Sequence, residues 1–245
     1  MSATRARRRA RRATLARAAA ALAMILTTEP AAAREVCRLA LVLALDVSGS
    51  VDAAEYRLQL DGLAEALTRP EVARTLLAGP PVALAAFEWS GPRETRPLFG
   101  WTMLRGPETL ADLAGRLRAT ERSGMSERTA IGSAMRAGEA LLRDGPDCWR
   151  RVIDISGDGQ SNSGPPPSAL RLDGITVNAL VVGADDPSPG DRRAAEISEL
   201  SSYFRVNVLR GPGAFVQVAL GFDDFARAMA RKLIREADPA ILSAR

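Results

Sequence analysis

The feature that most constrains this fold is an uninterrupted apolar run, residues 39–45, that ends in small polar side chains. The polar segment reads Asp46-Val47-Ser48-Gly49-Ser50, so a carboxylate and two hydroxyls alternate along a turn. A continuous apolar run of this length is typical of a parallel strand covered on both faces. Ligands of open α/β sheets bind beyond the carboxyl ends of such strands. The turn is therefore a candidate site for a cation that prefers hard oxygen ligands.

Strand and helix patterns alternate along the chain. Strands are predicted at 39–45, 81–89, 95–103, 151–156, 175–182 and 215–220, and helices at 53–67, 107–120, 129–143, 191–202 and 223–237. The turn at 90–92 predicts an antiparallel hairpin, whereas the other strands need helical crossovers. We predict one α/β domain over 34–238, a doubly wound, mainly parallel six-stranded sheet with helices on both faces. Residues 239–245 are a short C-terminal tail.

The excess positive charge of the chain comes from its amino terminus. Residues 1–33 hold seven arginines and one acid, whereas 34–245 hold 26 basic and 28 acidic side chains. A body with a net charge of −2 has no basic surface for phosphates, so we expect no nucleic-acid partner. The basic start, the apolar stretch at 18–26 and the small residues at 31–33 predict a signal peptide over residues 1–33.

A signal peptide indicates a periplasmic or secreted protein. Arg11-Arg12 leaves open whether the general or the twin-arginine route exports it. An arginine-rich disordered tail is the alternative interpretation of the same residues. No apolar stretch reaches the roughly 20 residues that a membrane span needs. We therefore expect no membrane span in the mature chain. We also expect the mature protein to be a monomer.

Histidine is absent from the chain, which excludes several kinds of active site. Histidine acid–base catalysis, Ser-His-Asp and Cys-His arrangements and histidine-ligated metals are all ruled out. The two cysteines, Cys37 and Cys148, are too few for a structural zinc site. In an exported protein they are candidates for a disulfide.

Two further polar residues stand at the ends of predicted elements. Thr129 lies at a helix entrance, and Asp158 follows the strand at 151–156 between two glycines. If these loops converge with the first turn, two carboxylates and three hydroxyls meet in one pocket. Close carboxylates repel unless a proton or cation lies between them, and the loops hold no lysine or histidine. The sequence therefore predicts a divalent cation with one open coordination position.

Together these motifs resemble those of the von Willebrand factor A family. The resemblance rests on Asp46-Val47-Ser48-Gly49-Ser50, on Thr129 followed by Ala134-Met135, and on Gly157-Asp158-Gly159. It covers nearly the whole mature chain, and the stretch 51–56 also looks like an uncharacterised group of exported bacterial members. Gly157 departs from the pattern, because many members carry a threonine there.

In that family the three loops form the metal-ion-dependent adhesion site, where a partner's Asp or Glu completes the metal coordination. The resemblance implies five site residues, Asp46, Ser48, Ser50, Thr129 and Asp158. The hydroxyls would approach the cation directly, and the carboxylates would act largely through water. Mg²⁺ or Mn²⁺ is the expected ion, with Ca²⁺ less favoured. The predicted function is an exported, metal-dependent protein-binding module and not an enzyme.

The family's strand order also bears on the two cysteines. Cys37 precedes Asp46 by nine residues, and Cys148 precedes Asp158 by ten. If their strands are parallel neighbours, as that order implies, both cysteines lie at the opposite edge of the sheet. We predict a Cys37–Cys148 disulfide, with two buried free cysteines as the alternative.

Simpler interpretations exist for the individual residues. Asp46 and Asp158 could form local turns, and Thr129 could be only a helix N-cap. Residues 161–163 are expected to be a polar loop tip, and Asp185-Asp186 to be a solvated loop or a second cation site.

Two other functions remain open at this point, a Mg²⁺-dependent hydrolase and a structural domain with a vestigial metal site. Glu88, Trp89 and Trp101 could belong to a partner surface or to internal packing. Asp154 lies inside an apolar strand, where it could mark the strand's start or pair with Arg150 or Arg151.

Overall fold

The computed structural model describes residues 37–183 and 190–238. The strands are β1 (Cys37–Asp46), β2 (Val82–Trp89), β3 (Thr95–Leu104), β4 (Cys148–Gly157), β5 (Thr176–Val182) and β6 (Val216–Ala219). The helices are α1 (Ala53–Thr68), α2 (Pro70–Leu76), α3 (Pro107–Ala119), α4 (Ile131–Arg143), α5 (Gly190–Asn207) and α6 (Phe225–Ala237). The predicted signal peptide, the predicted tail and Asp185-Asp186 lie outside the described residues.

The strands form one sheet in the order β3-β2-β1-β4-β5-β6. β2 and β3 are antiparallel, and the other neighbouring pairs in this sheet are parallel. The predicted doubly wound, mainly parallel six-stranded sheet is thereby confirmed. β1 occupies a central position with all ten residues buried, as its apolar sequence requires. None of the helices in the described part of the chain is long and apolar enough to cross a bilayer.

Each face of the sheet carries its own hydrophobic core. Leucines of β1 at 39, 41, 43 and 45 pack with α1, α3 and α6 on one face. Smaller β1 residues at 40, 42 and 44 pack with α4 and α5 on the other. A Cβ on Gly138 of α4 would lie only 2.9 Å from Ile153, so this helix can approach β4 closely because position 138 is glycine. This layering holds β1 rigidly and so positions the turn that follows it.

Several element boundaries differ from the prediction, and α5 continues to Asn207, five residues beyond its predicted end. The sequence reading missed α2, a seven-residue helix that begins with Pro70 directly after α1. β4 begins at Cys148, because its first residues already pair with β1. α4 begins at Ile131, two residues after Thr129. The helix start at Asp52 is a capping box with Glu55, as a Ser/Asp-x-x-Glu spacing favours.

A buried charged cluster joins β4 to α6. The Nζ of Lys232 lies 2.9 Å from an oxygen of Asp154 and 2.5 Å from an oxygen of Glu236, and all three side chains are buried. Asn178 donates a hydrogen bond to the same oxygen of Glu236 at 2.8 Å. The partner of Asp154 is therefore a lysine on a distant helix, and not Arg150 or Arg151.

The cluster holds two carboxyl groups against one ammonium, so it is neutral only when one carboxyl carries a proton. Burial raises the pKa of Asp154 to about 7, with Lys232 lowering it and Glu236 raising it. This value lies above the 3.8 of an ordinary aspartate, so the folded state retains a proton that the unfolded chain releases. The contribution of this group to the free energy of unfolding must therefore fall as the pH rises from about 3.8 to about 7.

Replacing Asp154 by Asn should reduce the pH dependence of stability, because the change removes the carboxyl group that retains a proton in the folded state. Urea unfolding at about pH 5 and about pH 8 measures the change. Wild type should lose more stability over this range than Asp154→Asn. Other groups titrate equally in both proteins and cancel in the comparison. Equal losses in the two proteins would contradict the assignment.

A disulfide joins Cys37 and Cys148, the first residues of the neighbouring strands β1 and β4. The predicted bridge is present, at the edge of the sheet opposite the turn after β1. It closes a loop with a sequence separation of 111 residues.

Replacing both cysteines by serine should lower the free energy of unfolding by up to about 4–5 kcal/mol, since the bridge restricts the unfolded chain. Urea unfolding of the double variant and of reduced wild type should give matching curves. Two free thiols in the intact mass of the unreduced protein would overturn the assignment.

Candidate metal centre

The first loop of the centre is held in place by the end of β1. The amide of Val47 donates to the carbonyl of Trp89 in β2 at 2.9 Å, and Gln59 of α1 donates to the carbonyl of Asp46 at 3.0 Å. The amide of Ser48 donates to Oδ1 of Asp46 at 2.9 Å. Backbone and carboxylate are thus both fixed, and the side chain of Asp46 lies buried beneath the turn.

A continuous chain of oxygen contacts links the three loops. Oγ1 of Thr129 donates to Oγ of Ser48 at 3.1 Å, and the Oγ atoms of Ser48 and Ser50 are 3.4 Å apart. Oγ of Ser50 donates to Oδ1 of Asp158 at 2.8 Å. With Asp46 bonded to the amide of Ser48, the structure brings all five predicted site residues to the same edge of the sheet.

Thr129 does not cap helix α4. The N-cap residue is Ala130, which makes no side-chain cap bond. The amide of Thr129 donates to Oδ1 of Asn162 at 2.9 Å, and its carbonyl accepts from the amides of Asn162 at 2.9 Å and Ser163 at 3.2 Å. The backbone of Thr129 is therefore fastened to the third loop, and its hydroxyl is directed at Ser48.

Asn162 is a functional residue that sequence reasoning missed. Residues 161–163 were expected to be only a polar loop tip, yet this segment holds the second loop to the third. Gln59 was also missed, because a polar residue on a helix gives no periodic signal of its role. An asparagine four residues after Asp158, in a loop rich in glycine and serine, is the signal that could have pointed to the clamp.

The two carboxylates have no basic partner. Burial and then the charge of Asp158 raise the pKa of Asp46 to about 8, against hydrogen bonds from Ser48. Burial also raises the pKa of Asp158, against a hydrogen bond from Ser50. Among the described residues, no basic side chain contributes to either shift, and Oδ2 of Asp46 is buried without a hydrogen-bond partner. An orphaned carboxylate oxygen in this setting calls for a proton or a cation.

Two glycines allow the loops to come this close. A Cβ on Gly49 would lie 2.8 Å from Cβ of Glu127, so the second loop packs directly on the backbone of the first. A Cβ on Gly157 would lie 3.2 Å from Oδ2 of Asp46 and 3.3 Å from the ring of Phe204. Gly157, the residue that departs from the family pattern, is therefore packed directly against Oδ2 of Asp46 and the ring of Phe204.

The donor set fits a hard divalent cation. Two carboxylates balance its charge, and three neutral hydroxyls add the weak oxygen donors that Mg²⁺ and Mn²⁺ accept. In the described part of the chain, no three His, Cys, Asp or Glu side chains gather as a metal cluster. A centre built from two acids and three hydroxyls also leaves room for a further oxygen ligand from outside the chain.

The other residues considered for a partner surface are engaged internally. Glu88 and Trp89 are buried, and Glu88 accepts from the hydroxyl of Tyr56 and pairs with Arg96 at 2.7 Å. The indole N–H of Trp101 donates to the carbonyl of Leu141 at 3.2 Å. Packing within the domain accounts for all three side chains.

Residues 35–240 match a protein family described as a protein of unknown function, DUF1194. No curated protein matches the chain. Proximal thread matrix protein 1 from the mussel byssus superposes with a TM-score of 0.55 at 17% identity, covering 82% of this chain and 47% of its own. Another structure of that protein has a zinc-occupied MIDAS motif, with a TM-score of 0.52 at 16% identity, covering 82% of this chain and 48% of its own.

Two bacterial structures are also similar. The pilus adhesin SpaC from Lactobacillus rhamnosus GG has a TM-score of 0.54 at 14% identity, covering 81% of this chain and 31% of its own. A von Willebrand factor type A structure from Catenulispora acidiphila has a TM-score of 0.50 at 16% identity, covering 82% and 43%. This chain spans less than half the length of these proteins. At identities this low, the superpositions establish only a shared fold, which is that of von Willebrand factor A domains.

Replacing Asp46 by Asn should stabilise the metal-free protein and abolish its response to divalent cations. The stabilisation applies above about pH 8, where Asp46 is ionised and the change removes its buried negative charge beside the carboxylate of Asp158. In thermal unfolding, wild type should gain about 2.7 kcal/mol when Mg²⁺ or Mn²⁺ reaches 100 times its Kd. Asp46→Asn should gain nothing and should melt at a higher temperature than wild type in EDTA.

The exposed aspartate of α3 provides a matched control, Asp112→Asn, which should respond to cations as wild type does. A wild-type melting temperature that millimolar Mg²⁺ and Mn²⁺ leave unchanged would refute a metal centre at this edge.

Proposed function

Because this chain belongs to the DUF1194 family and has a von Willebrand factor A fold, we propose that it is an exported protein-binding module that captures its partner through a divalent cation. The five residues of the candidate metal centre hold the cation, Mg²⁺ or Mn²⁺. The cation accepts a carboxylate from an Asp or Glu side chain of the partner protein. The mature domain acts as a monomer in the periplasm or outside the cell.

The observation that carries this proposal is the buried carboxyl group of Asp46, whose Oδ2 has no hydrogen-bond partner and which lies near the carboxyl group of Asp158. Neither Asp46 nor Asp158 has a basic partner among the described residues, although both are largely buried. When bound, a cation supplies the missing positive charge and an open position for an anionic oxygen. The zinc-occupied MIDAS motif of the byssus protein supports a divalent cation at a site of this fold, without naming which.

Each loop has a distinct task in this proposal. The first loop presents Ser48 and Ser50 while Asp46 holds the turn through the amide of Ser48. The second loop presents the hydroxyl of Thr129, and Asn162 of the third loop keeps it in place through the backbone. Since the two carboxylates balance a divalent charge, the partner's carboxylate is the third anion and the ligand most easily exchanged.

Hydrolysis by this centre finds less support. A Mg²⁺-dependent hydrolase needs a general base or a cationic clamp near the reacting group. Among the described residues, no basic side chain shifts the pKa of either carboxylate of the centre. That part of the chain also holds no cluster of three or more acidic side chains that could bind a second metal ion. A vestigial site is disfavoured because all five donor side chains are present and in mutual contact or close proximity.

A capture experiment tests the proposal. The immobilised protein is exposed to envelope extract of the source cells in Mg²⁺ and in EDTA, and retained proteins are identified by mass spectrometry. Wild type and Asp112→Asn should retain the same partner in Mg²⁺ alone, and Asp46→Ala should retain none. Replacing acidic residues of that partner by their amides should then remove binding at one position. Capture that persists in EDTA or with Asp46→Ala would overturn the metal-bridged mechanism.

A further inference from the structure

A second cleft opens at the edge of the sheet opposite the metal centre. It has a volume of about 700 Å³ and lies between the start of β4, the loop before β5 and the loop before β6. Pockets that hold small organic ligands in proteins commonly have this size. The metal centre lies beyond the carboxyl ends of the same strands, so the two sites are separated by the length of the sheet.

Arginine dominates the charged residues of this cleft. Four of the thirteen lining residues are arginines, Arg150, Arg151, Arg171 and Arg210, and one is acidic, Asp173. Residues 34–245 as a whole carry a net charge of −2, so a local excess of three positive charges is not an average property of the surface. Such an excess within a concave wall concentrates anions.

Two of the arginines donate hydrogen bonds to backbone carbonyls. Arg210 donates to the carbonyls of Pro167 at 2.8 Å and Asn207 at 2.9 Å, and burial alone lowers its pKa. Arg150 donates to the carbonyl of Glu236 at 2.8 Å. Hydrogen bonds to carbonyls fix the guanidinium group of Arg210 without cancelling its charge.

The other two arginines are available to a ligand. The side chains of Arg151 and Arg171 make no hydrogen bond or ion pair with any residue that the structure describes. The guanidinium of Arg151 lies over Gly174, where an added Cβ would be 2.8 Å from Nη2. Gly174 has a φ of +69°, so the loop keeps a glycine there and leaves the space beside the guanidinium clear.

An exposed aromatic ring stands beside these charges. Trp149 lines the cleft and is 60% exposed, whereas Trp89 is buried in the core. An indole face next to guanidinium groups offers a flat apolar surface for a ring, while the arginines bind an acid group by paired hydrogen bonds. Inorganic phosphate would satisfy the charges and leave most of the volume and the ring unused.

We propose that this cleft binds a small organic anion that combines a phosphate or carboxylate group with a flat ring. Arg151 and Arg171 bind the acid group, Arg210 supplies a fixed positive charge, and Trp149 stacks on the ring. The site is independent of the metal centre and adds a ligand-binding function to the domain.

Isothermal titration calorimetry of the intact protein in EDTA tests the proposal. The probes are the ring-bearing anions phenyl phosphate, uridine 5′-monophosphate and benzoate, with inorganic phosphate and phenol for comparison. At least one ring-bearing anion should bind saturably, more tightly than inorganic phosphate, and less tightly as salt is raised. Phenol should not bind. The preferred probe identifies the acid group and the kind of ring, whereas no saturable binding of any ring-bearing anion would refute the proposal.

Variants locate the binding in the cleft. Arg151→Ala and the charge reversal Arg171→Glu should each weaken it by roughly tenfold or more, since each removes charge-assisted hydrogen bonds. Trp149→Ala should weaken the ring-bearing probes and leave inorganic phosphate unchanged. Arg118→Ala, an exposed arginine of α3, is the matched control and should bind as wild type does.

The metal centre is a second possible target for an anion, and EDTA with Asp46→Ala separates the two. Binding in the cleft should be unchanged by both. Binding lost with Asp46→Ala, or retained with Arg151→Ala and Arg171→Glu combined, would overturn the assignment. Circular dichroism confirms that each variant is folded, which is expected because Arg171 and Trp149 are exposed.

Discussion

The repulsion between the buried carboxylate of Asp46 and the partly exposed carboxylate of Asp158 is the constraint on which the rest of this structure depends. Asp46 and Asp158 end neighbouring parallel strands, so their convergence follows from the sheet itself and cannot be relaxed without unfolding its edge. Hydroxyl groups, amides and a glutamine surround them where a basic side chain would neutralise them. The loops are fastened to one another through backbone groups, which keeps the carboxylates in place although their charges oppose it.

The sequence predicted the sheet well because its strongest signals were local. The continuous apolar run before Asp46 required a strand covered on both faces, and the alternation of strands with helices required parallel pairing. The convergence of Ser48, Ser50, Thr129 and Asp158 followed once their loops were placed at the same edge. Family resemblance supplied the strand order, and with it the pairing of Cys37 with Cys148.

What the sequence did not reveal depends on long-range partners. Asp154 looked anomalous in an apolar strand, and its partner Lys232 lies on the last helix, where no spacing rule could connect them. Thr129 is tied to the third loop by the side-chain amide of Asn162 and by the backbone amides of Asn162 and Ser163, and these bonds leave no periodic pattern. Helix α2 is short and follows α1 after one residue, so its start could not be separated from the end of α1. The arginine-lined cleft likewise combines residues from three separate segments.

The covalent bridge between Cys37 and Cys148 has a consequence for how the domain tolerates cleavage. The bridge makes a ring that contains the first two loops of the metal centre, three complete helices between them and the helix that follows Thr129. The segment 121–128 within this ring has no helix or strand and is the natural point for a protease to cut. A single cut there would open the ring without releasing a fragment. Asp46 and Thr129 would stay on one molecule, and the nicked chain would come apart only after reduction.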